Sequence, residues 1–193
     1  MNAMTVAQRM TAEEFLELPL DRDEYGFAPC LVEGELVVNR PDVWHQETGG
    51  RIFVELRNWI EGGQGRGYAI YEIDVLIDDL NVYEPDVLWY AEGRGPRRVD
   101  RAPHPVPDLA VEVRSPSTWR HDVGAKKAGY ERGGVQELWL VDTAAGSVLV
   151  FRRSAPDGPA FDIALELTAG DTLGSPLLEH FELPLDRLFA GDY

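Results

Sequence analysis

The sequence predicts an α/β or α+β fold, with helices and a mixed set of strands in one domain spanning residues 1–193. Three observations predict it. A helical apolar stripe runs through 45–61, short strand-like runs fill 71–113, and a second helical segment at 122–133 leads into more strand-like runs. A helix, a run of strands, a helix and further strands are the order of a layered α/β or α+β fold. A chain of 193 residues is long enough to bury a sizeable core and short for two domains. With 44% apolar and 27% charged residues it has the composition of a globular protein, which excludes disorder as its main state.

Each element has a local reason. Thr11 starts a Thr-x-x-Glu capping pattern, and Thr11–Leu18 reads as a short helix. Leu31–Val38 reads as two short strands around a turn at Glu33-Gly34. In His45–Glu61, Ile52, Leu56, Trp59 and Ile60 recur at three- and four-residue spacing, which lines up one apolar face. The glycine-rich stretch 62–67 ends that helix. Tyr71–Ile77 alternates, with Tyr71, Ile73, Val75 and Ile77 on one face of a predicted strand. Val82–Tyr90 is a second strand, interrupted by Pro85. Residues 91–107 form a loop rich in Gly, Pro and Arg. Leu109–Val113 (LAVEV) has the near-continuous apolar character of a buried central strand. Pro116 stops it, and Asp122–Gly133 reads as a helix closed by glycine. Leu138–Asp142 and Ser147–Arg152 flank Ala-Ala-Gly as a hairpin, and residues 153–193 add a further short strand pair.

Composition narrows the setting. No apolar run approaches the roughly 18 residues of a membrane span. The opening MNAMTVAQRM lacks the apolar stretch of a signal peptide. The single cysteine, Cys30, excludes a disulfide scaffold and a multi-cysteine zinc site, so the chain is expected in the cytoplasm. The net charge of −16 opposes long-range attraction to nucleic acid. That charge is uneven. Residues 94–132 hold nine of the 18 basic residues against five acids, a local +4, which leaves −20 on the rest.

Two acids stand where apolar or neutral residues would be ordinary. Glu112 interrupts LAVEV, and Asp86 follows Pro85. A lone buried carboxylate costs several kcal/mol, so it needs a partner, a proton or a metal. If the two strands are neighbours about 4.8 Å apart, carboxylates at matching positions could share one Mg²⁺. Spacing alone leaves equal room for a turn-capping Asp and a Glu paired with Arg114 or Arg120. Lys126 and Tyr130 are four apart on the second helix and share a face, so Lys126 could reach over the end of the Glu112 strand or be a solvated lysine. Lys127 points elsewhere and reads as solvated. Trp119 reads as an exposed apolar residue available to a partner.

The stretches LVEGELVV…HQ (31–46), DVLIDD…YEPDVLW (74–89) and DLAVEVRSPSTWRHDVGAKKAGYERGGVQELWLVD (108–142), with the VLVFR that follows, resemble the bacterial restriction endonuclease family of the Uma-two type, a branch of the PD-(D/E)XK nuclease superfamily. The resemblance runs in order from Phe15 to Arg152. It implies a restriction-endonuclease-like mixed sheet flanked by helices, with 153–193 as a C-terminal strand extension. Asp86 and Glu112 would be the motif acids and the ligands of Mg²⁺, with Mn²⁺ as a substitute. The motif lysine belongs two residues after the glutamate, where this chain has Arg114. In this branch the lysine comes from the next helix, a position that Lys126 matches. Where the family often has an upstream glutamate this chain has Cys30, and Glu33 is the nearest candidate for that acid. His45-Gln46 matches a His-Gln pair; His45 either contacts the site or phosphate, or caps the helix start. Asp74, on the polar face of its strand, is a candidate outer acid.

The implied function is a metal-dependent endonuclease acting on nucleic acid, with DNA as the expected target and no membrane partner. A Mg²⁺ between Asp86 and Glu112 would lower the pKa of a bound water, and Lys126 would offset developing negative charge. A homodimer would bring two basic stretches together. The alternative is an inactive nucleic-acid- or protein-binding domain that keeps the fold, which would suit Arg114, Cys30 and the acidity. A carboxylate-pair sugar hydrolase would need two acids but no lysine or metal.

Overall fold

The computed structural model describes residues 9–18, 29–97 and 100–191. Residues 1–8, which opened the signal-peptide reading, and Arg98 of the basic stretch lie outside them. Among the described residues the strands form three sheets, and no helix is long and apolar enough to cross a membrane.

The chain opens with α1 (Ala12–Leu16), closed by a complete capping box between Thr11 and Glu14. A hairpin follows, β1 (Pro29–Val32) and β2 (Glu35–Val38), and its turn puts Glu33 and Gly34 at φ +51° and +77°. Positive φ at both central residues is the twist-matched hairpin turn. The long helix α2 (Val43–Glu61) begins two residues before the predicted start, because Asp42 caps it by accepting the His45 N–H.

Of the predicted strand at 71–77 only the last three residues are strand, and another short strand precedes the segment in a different sheet. β3 (Tyr68–Ile70) pairs with β6 (Val87–Tyr90), whereas β4 (Val75–Asp78) pairs with β5 (Asn81–Tyr83). The chain crosses between the sheets at 71–74, where Glu72 adopts φ +49° and donates its N–H to the Pro85 carbonyl. Alternation reports which side chains face inward, not which backbone the strand pairs with, so it ran unbroken through the crossover. Pro85 divides β5 from β6 in the same way.

The central strand β7 (Leu109–Val113) is buried at every residue. It lies antiparallel to β6 and parallel to β8 (Glu137–Asp142), and β9 (Ser147–Arg152) and β10 (Ile163–Leu167) extend that sheet. The full order is β10-β9-β8-β7-β6-β3, and β2-β1-β5-β4 forms the second sheet. The second helix begins earlier than predicted. It runs as α3 (Trp119–His121), a π-turn (Asp122–Lys126) and α4 (Lys127–Gly133), closed by Gly134 in the left-handed conformation.

Strand alternation divides the core in two. On one face of the large sheet, Leu109, Val111, Val113 and Trp139 pack against Ile52 and Leu56 of α2. The C-terminal hairpin, β11 (Thr172–Ser175) and β12 (Leu178–Pro184), with α5 (Leu185–Leu188), completes that layer through residues such as Phe181 and Leu185. On the other face, Ala110, Leu138 and Leu140 pack against Tyr130 of α4, Tyr83 of β5 and Cys30 of β1. Glu112 is two residues from Ala110 and therefore points to this second face.

Gly129 is where α4 meets Tyr83. A Cβ there would lie 2.2 Å from the Tyr83 hydroxyl and 2.8 Å from its ring carbons. Alanine would gain about 1 kcal/mol of helix propensity, but overpacking costs about 1–3 kcal/mol. Gly129→Ala is therefore expected to lower the urea midpoint of unfolding, and Tyr83→Phe in the same chain to recover part of the loss. A stabilised Gly129→Ala would contradict this packing.

Candidate active site

Extending the β6–β7 register by one step beyond Val87↔Val111 sets Asp86 opposite Glu112. Both oxygens of Asp86 are held. Oδ2 accepts the Val113 N–H at 2.6 Å, and Oδ1 lies 3.0 Å from His45 Nε2. Glu112 is 4% exposed and Lys126 5%. Lys126 Nζ sits 2.5 Å from Glu112 Oε1, which also accepts the Tyr130 hydroxyl. Lys126 and Tyr130, four apart on one helix face, thus converge on a single carboxylate.

A third acid joins them. Asp122, 1% exposed, places Oδ1 3.2 Å from Lys126 Nζ, near enough to pair in charge although that oxygen accepts no well-aligned hydrogen bond. Its Oδ2 accepts from Thr118, whose hydroxyl lies 2.7 Å from that of Ser115. The Ser-Pro-Ser-Thr stretch after β7 is therefore a hydroxyl relay that fixes the π-turn and, through it, Lys126. Sequence reasoning named Asp122 and Tyr130 but gave them no part in the site. Their spacing, 122-126-130, was the available signal.

The electrostatics follow from burial. Desolvation, countered by Lys126 and reinforced by Asp122 and Asp86, pushes Glu112 up to about 8. Burial opposes the Lys126 ammonium, but Glu112 and Asp122 outweigh it and hold its pKa well above the usual lysine value. An unfolded chain releases the Glu112 proton near 4.5. The folded chain keeps it to higher pH, so this group's contribution to stability declines as pH rises through that window.

His45 does not cap α2, since Asp42 does. Its ring lies between two acceptor-only groups, the Arg114 carbonyl at Nδ1 (3.3 Å) and the Asp86 carboxylate at Nε2. A neutral imidazole has one donor, so only the imidazolium makes both contacts. Burial lowers the His45 pKa, but the hydrogen bond and charge of Asp86 outweigh it and the net shift is upward.

The remaining candidates lie apart from this cluster or play other parts. Glu33 is exposed in the β1–β2 turn, and its N–H is used by Asn81. Asp74 is half-buried in the crossover, and its carbonyl accepts the His104 N–H. Cys30 is buried, and desolvation with the nearby acids pushes its thiol up to about 12 despite Lys126. Arg114 pairs with both oxygens of Asp142 at 2.8–2.9 Å rather than with Glu112. Lys127 is not a free solvated lysine, because its ammonium lies 4.6 Å from the Phe151 ring centre. Trp119 is half-buried under the Arg114 guanidinium rather than exposed to a partner.

Most described cations of the basic stretch have an acid partner. Arg94 pairs with Asp108, Arg97 with Asp100, Arg114 with Asp142, Lys126 with Glu112, and Arg132 with Asp78. Arg101 and Arg120 are exposed.

Asp86 is also the door to solvent. With His45 it lines a cavity of about 180 Å³ between α2 and the crossover, together with Gln46, Gly50, Phe53 and Tyr71. Among the described residues no three His, Cys, Asp or Glu side chains form a closed metal cage. Two hard carboxylates at opposed positions of neighbouring strands fit an ion that keeps waters and takes a phosphate, as Mg²⁺ does. Burial first, and then the charges of Asp122 and Asp86, raise Glu112, and a bound cation would oppose both.

Removing the ammonium tests the cluster. Lys126→Met strands buried carboxylates and is expected to cost about 3–5 kcal/mol. Adding Glu112→Gln should recover part of that loss in thermal or urea unfolding, because one stranded charge goes with it. Strictly additive losses would mean that the two side chains are not coupled.

Comparison with known proteins agrees with this architecture. A crystal structure described as "a putative nuclease belonging to DUF820 from Anabaena variabilis ATCC 29413" superposes with a TM-score of 0.77 at 21% identity. The match covers 93% of this chain and 97% of that one, and it shows a shared fold. No curated protein matches the chain. A family profile described as "Putative restriction endonuclease" matches residues 12–186, past Arg152 and through the C-terminal hairpin into α5. By that match the chain belongs to the Uma2 restriction endonuclease family.

Proposed function

We propose that the protein is a metal-dependent endonuclease that hydrolyses phosphodiester bonds of nucleic acid, with DNA as the preferred target. One observation carries the reading. Asp86 and Glu112 face each other across paired strands, with the Lys126 ammonium on Glu112 and Asp86 open to a cavity. Asp86 and Glu112 would hold the Mg²⁺. When bound, Mg²⁺ supplies a water of lowered pKa and a Lewis acid for the phosphoryl oxygen.

The other parts belong to the chain. The Val113 N–H and His45 fix both oxygens of Asp86, so that its remaining lone pairs keep one direction. Tyr130 and Lys126 favour the ionised form of Glu112, against the burial that would protonate it. Lys126 is a fixed positive charge where negative charge develops, and its burial strengthens that effect relative to water. His45, held between Asp86 and the Arg114 carbonyl, adds a second cation at the cavity wall.

A second reading has its own observation. The cations of 94–132 are mostly spent on the chain's own acids, and the net charge is −16. An inactive nucleic-acid- or protein-binding domain would need no more than this. The buried ammonium and its two acids, Glu112 and Asp122, favour the enzyme, since burying them costs stability that a binding surface does not require.

Calorimetric titration of Mn²⁺ separates the two readings without a known substrate. Wild type should bind stoichiometrically, and an Asp86→Ala/Glu112→Gln variant should not. Binding requires ionised Glu112, so affinity should rise about tenfold per pH unit up to about 8 and level off above it. Mg²⁺- or Mn²⁺-dependent cleavage of DNA should fall about 10²–10³-fold in Glu112→Gln. Equal cleavage, or site-independent binding with no cleavage, would overturn the reading.

A further inference from the structure

We propose that Tyr71, braced by Phe53, is a stacking platform for one unpaired base of the substrate, so that the protein acts on single-stranded or locally unpaired nucleic acid. The inference rests on the nuclease reading and specifies its substrate class.

Tyr71 is 55% exposed, in contrast to Tyr83, Tyr90 and Tyr130, which are fully buried. Its ring meets Phe53 edge to face, with centroids 5.0 Å apart and planes at 78°. That contact holds the ring in one orientation while more than half of the residue stays in solvent. Tyr71 sits on the crossover next to Glu72, whose positive φ and N–H bond to the Pro85 carbonyl tie the platform to the residue before Asp86. The same cavity is lined by Asp86 and Tyr71, so a nucleotide whose phosphate lies at Asp86 has its neighbouring base within the same walls. Gly50 lines the same cavity without a side chain, and the space beside its Cα is open.

Charge argues for a base rather than a phosphate on the ring. Glu72 lines this cavity beside Tyr71 and repels a phosphate at the ring, whereas a neutral base meets no such penalty. The wider surface points the same way. A duplex-tracking protein draws its affinity from Lys and Arg on phosphates, and here most described cations of 94–132 are already paired. Affinity must then come from contacts that salt does not screen, and stacking on an aromatic ring is the main one available to single strands. A base buried in a duplex cannot reach Tyr71, because it is stacked on its neighbours.

The test measures binding by fluorescence anisotropy with the wild-type protein, whose two site acids are intact, with Ca²⁺ in place of Mg²⁺ to hold back cleavage. The probe is a fluorescein-labelled DNA of about 12 nucleotides, compared as single strand and as duplex. The single strand is expected to bind more tightly. Tyr71→Ala should weaken it about tenfold, and Tyr71→Trp should retain it. Because Tyr71 is exposed, both variants should keep the parent's circular dichroism and melting temperature. Unchanged binding by Tyr71→Ala, or tighter binding of the duplex, overturns the inference and leaves the nuclease reading standing. No binding of either probe by the parent overturns both.

Discussion

The structure turns on one buried carboxylate. Glu112 lies in a strand that is buried at every residue, where desolvation would otherwise protonate it or unfold the sheet around it. Everything packed against that face answers the need. Lys126 supplies the charge, Tyr130 supplies a hydroxyl, and Asp122 holds the other side of the ammonium. The π-turn widens the helix over Asp122–Lys126, and the Ser115–Thr118 hydroxyls pin its start. Such a cluster costs stability relative to an apolar core of equal volume. Its place in a fully packed layer is intelligible as holding a titratable acid beside a fixed ammonium.

The second constraint is the passage of the chain between two sheets. One crossover at 71–74 and the Glu84-Pro85-Asp86 link carry it from the large sheet to the small one and back. The gap they leave beside α2 is the cavity, and Asp86 stands between that cavity and the buried cluster. The site is therefore two-sided: a dry half that fixes charge and an open half that can admit a substrate.

Surface charge follows a related logic. The sequence concentrates cations in 94–132, yet folding pairs most of the described ones with acids, three within the stretch and two, Arg114 and Arg132, with acids from outside it. Local charge density along a sequence is not local charge density on a surface, because partners such as Asp78 and Asp142 arrive through tertiary contacts.

Much was legible in the residues themselves. The capping box at Thr11, the α2 stripe, the Glu33-Gly34 turn, the buried LAVEV strand and the β8–β9 hairpin all follow from local chemistry and side-chain period. Glu112 announced itself as an acid in an apolar run, and Lys126 and Tyr130 shared a helix face by spacing alone. What only the tertiary structure decided was pairing. It set Asp86 opposite Glu112, joined His45 to Asp86, turned Arg114 toward Asp142, made 71–74 a crossover between two sheets and left Asp74 and Glu33 in that crossover and a turn. The physical reason is that periodicity records how far each side chain is buried, whereas partners are chosen by strand register and chain crossings that link residues dozens of positions apart.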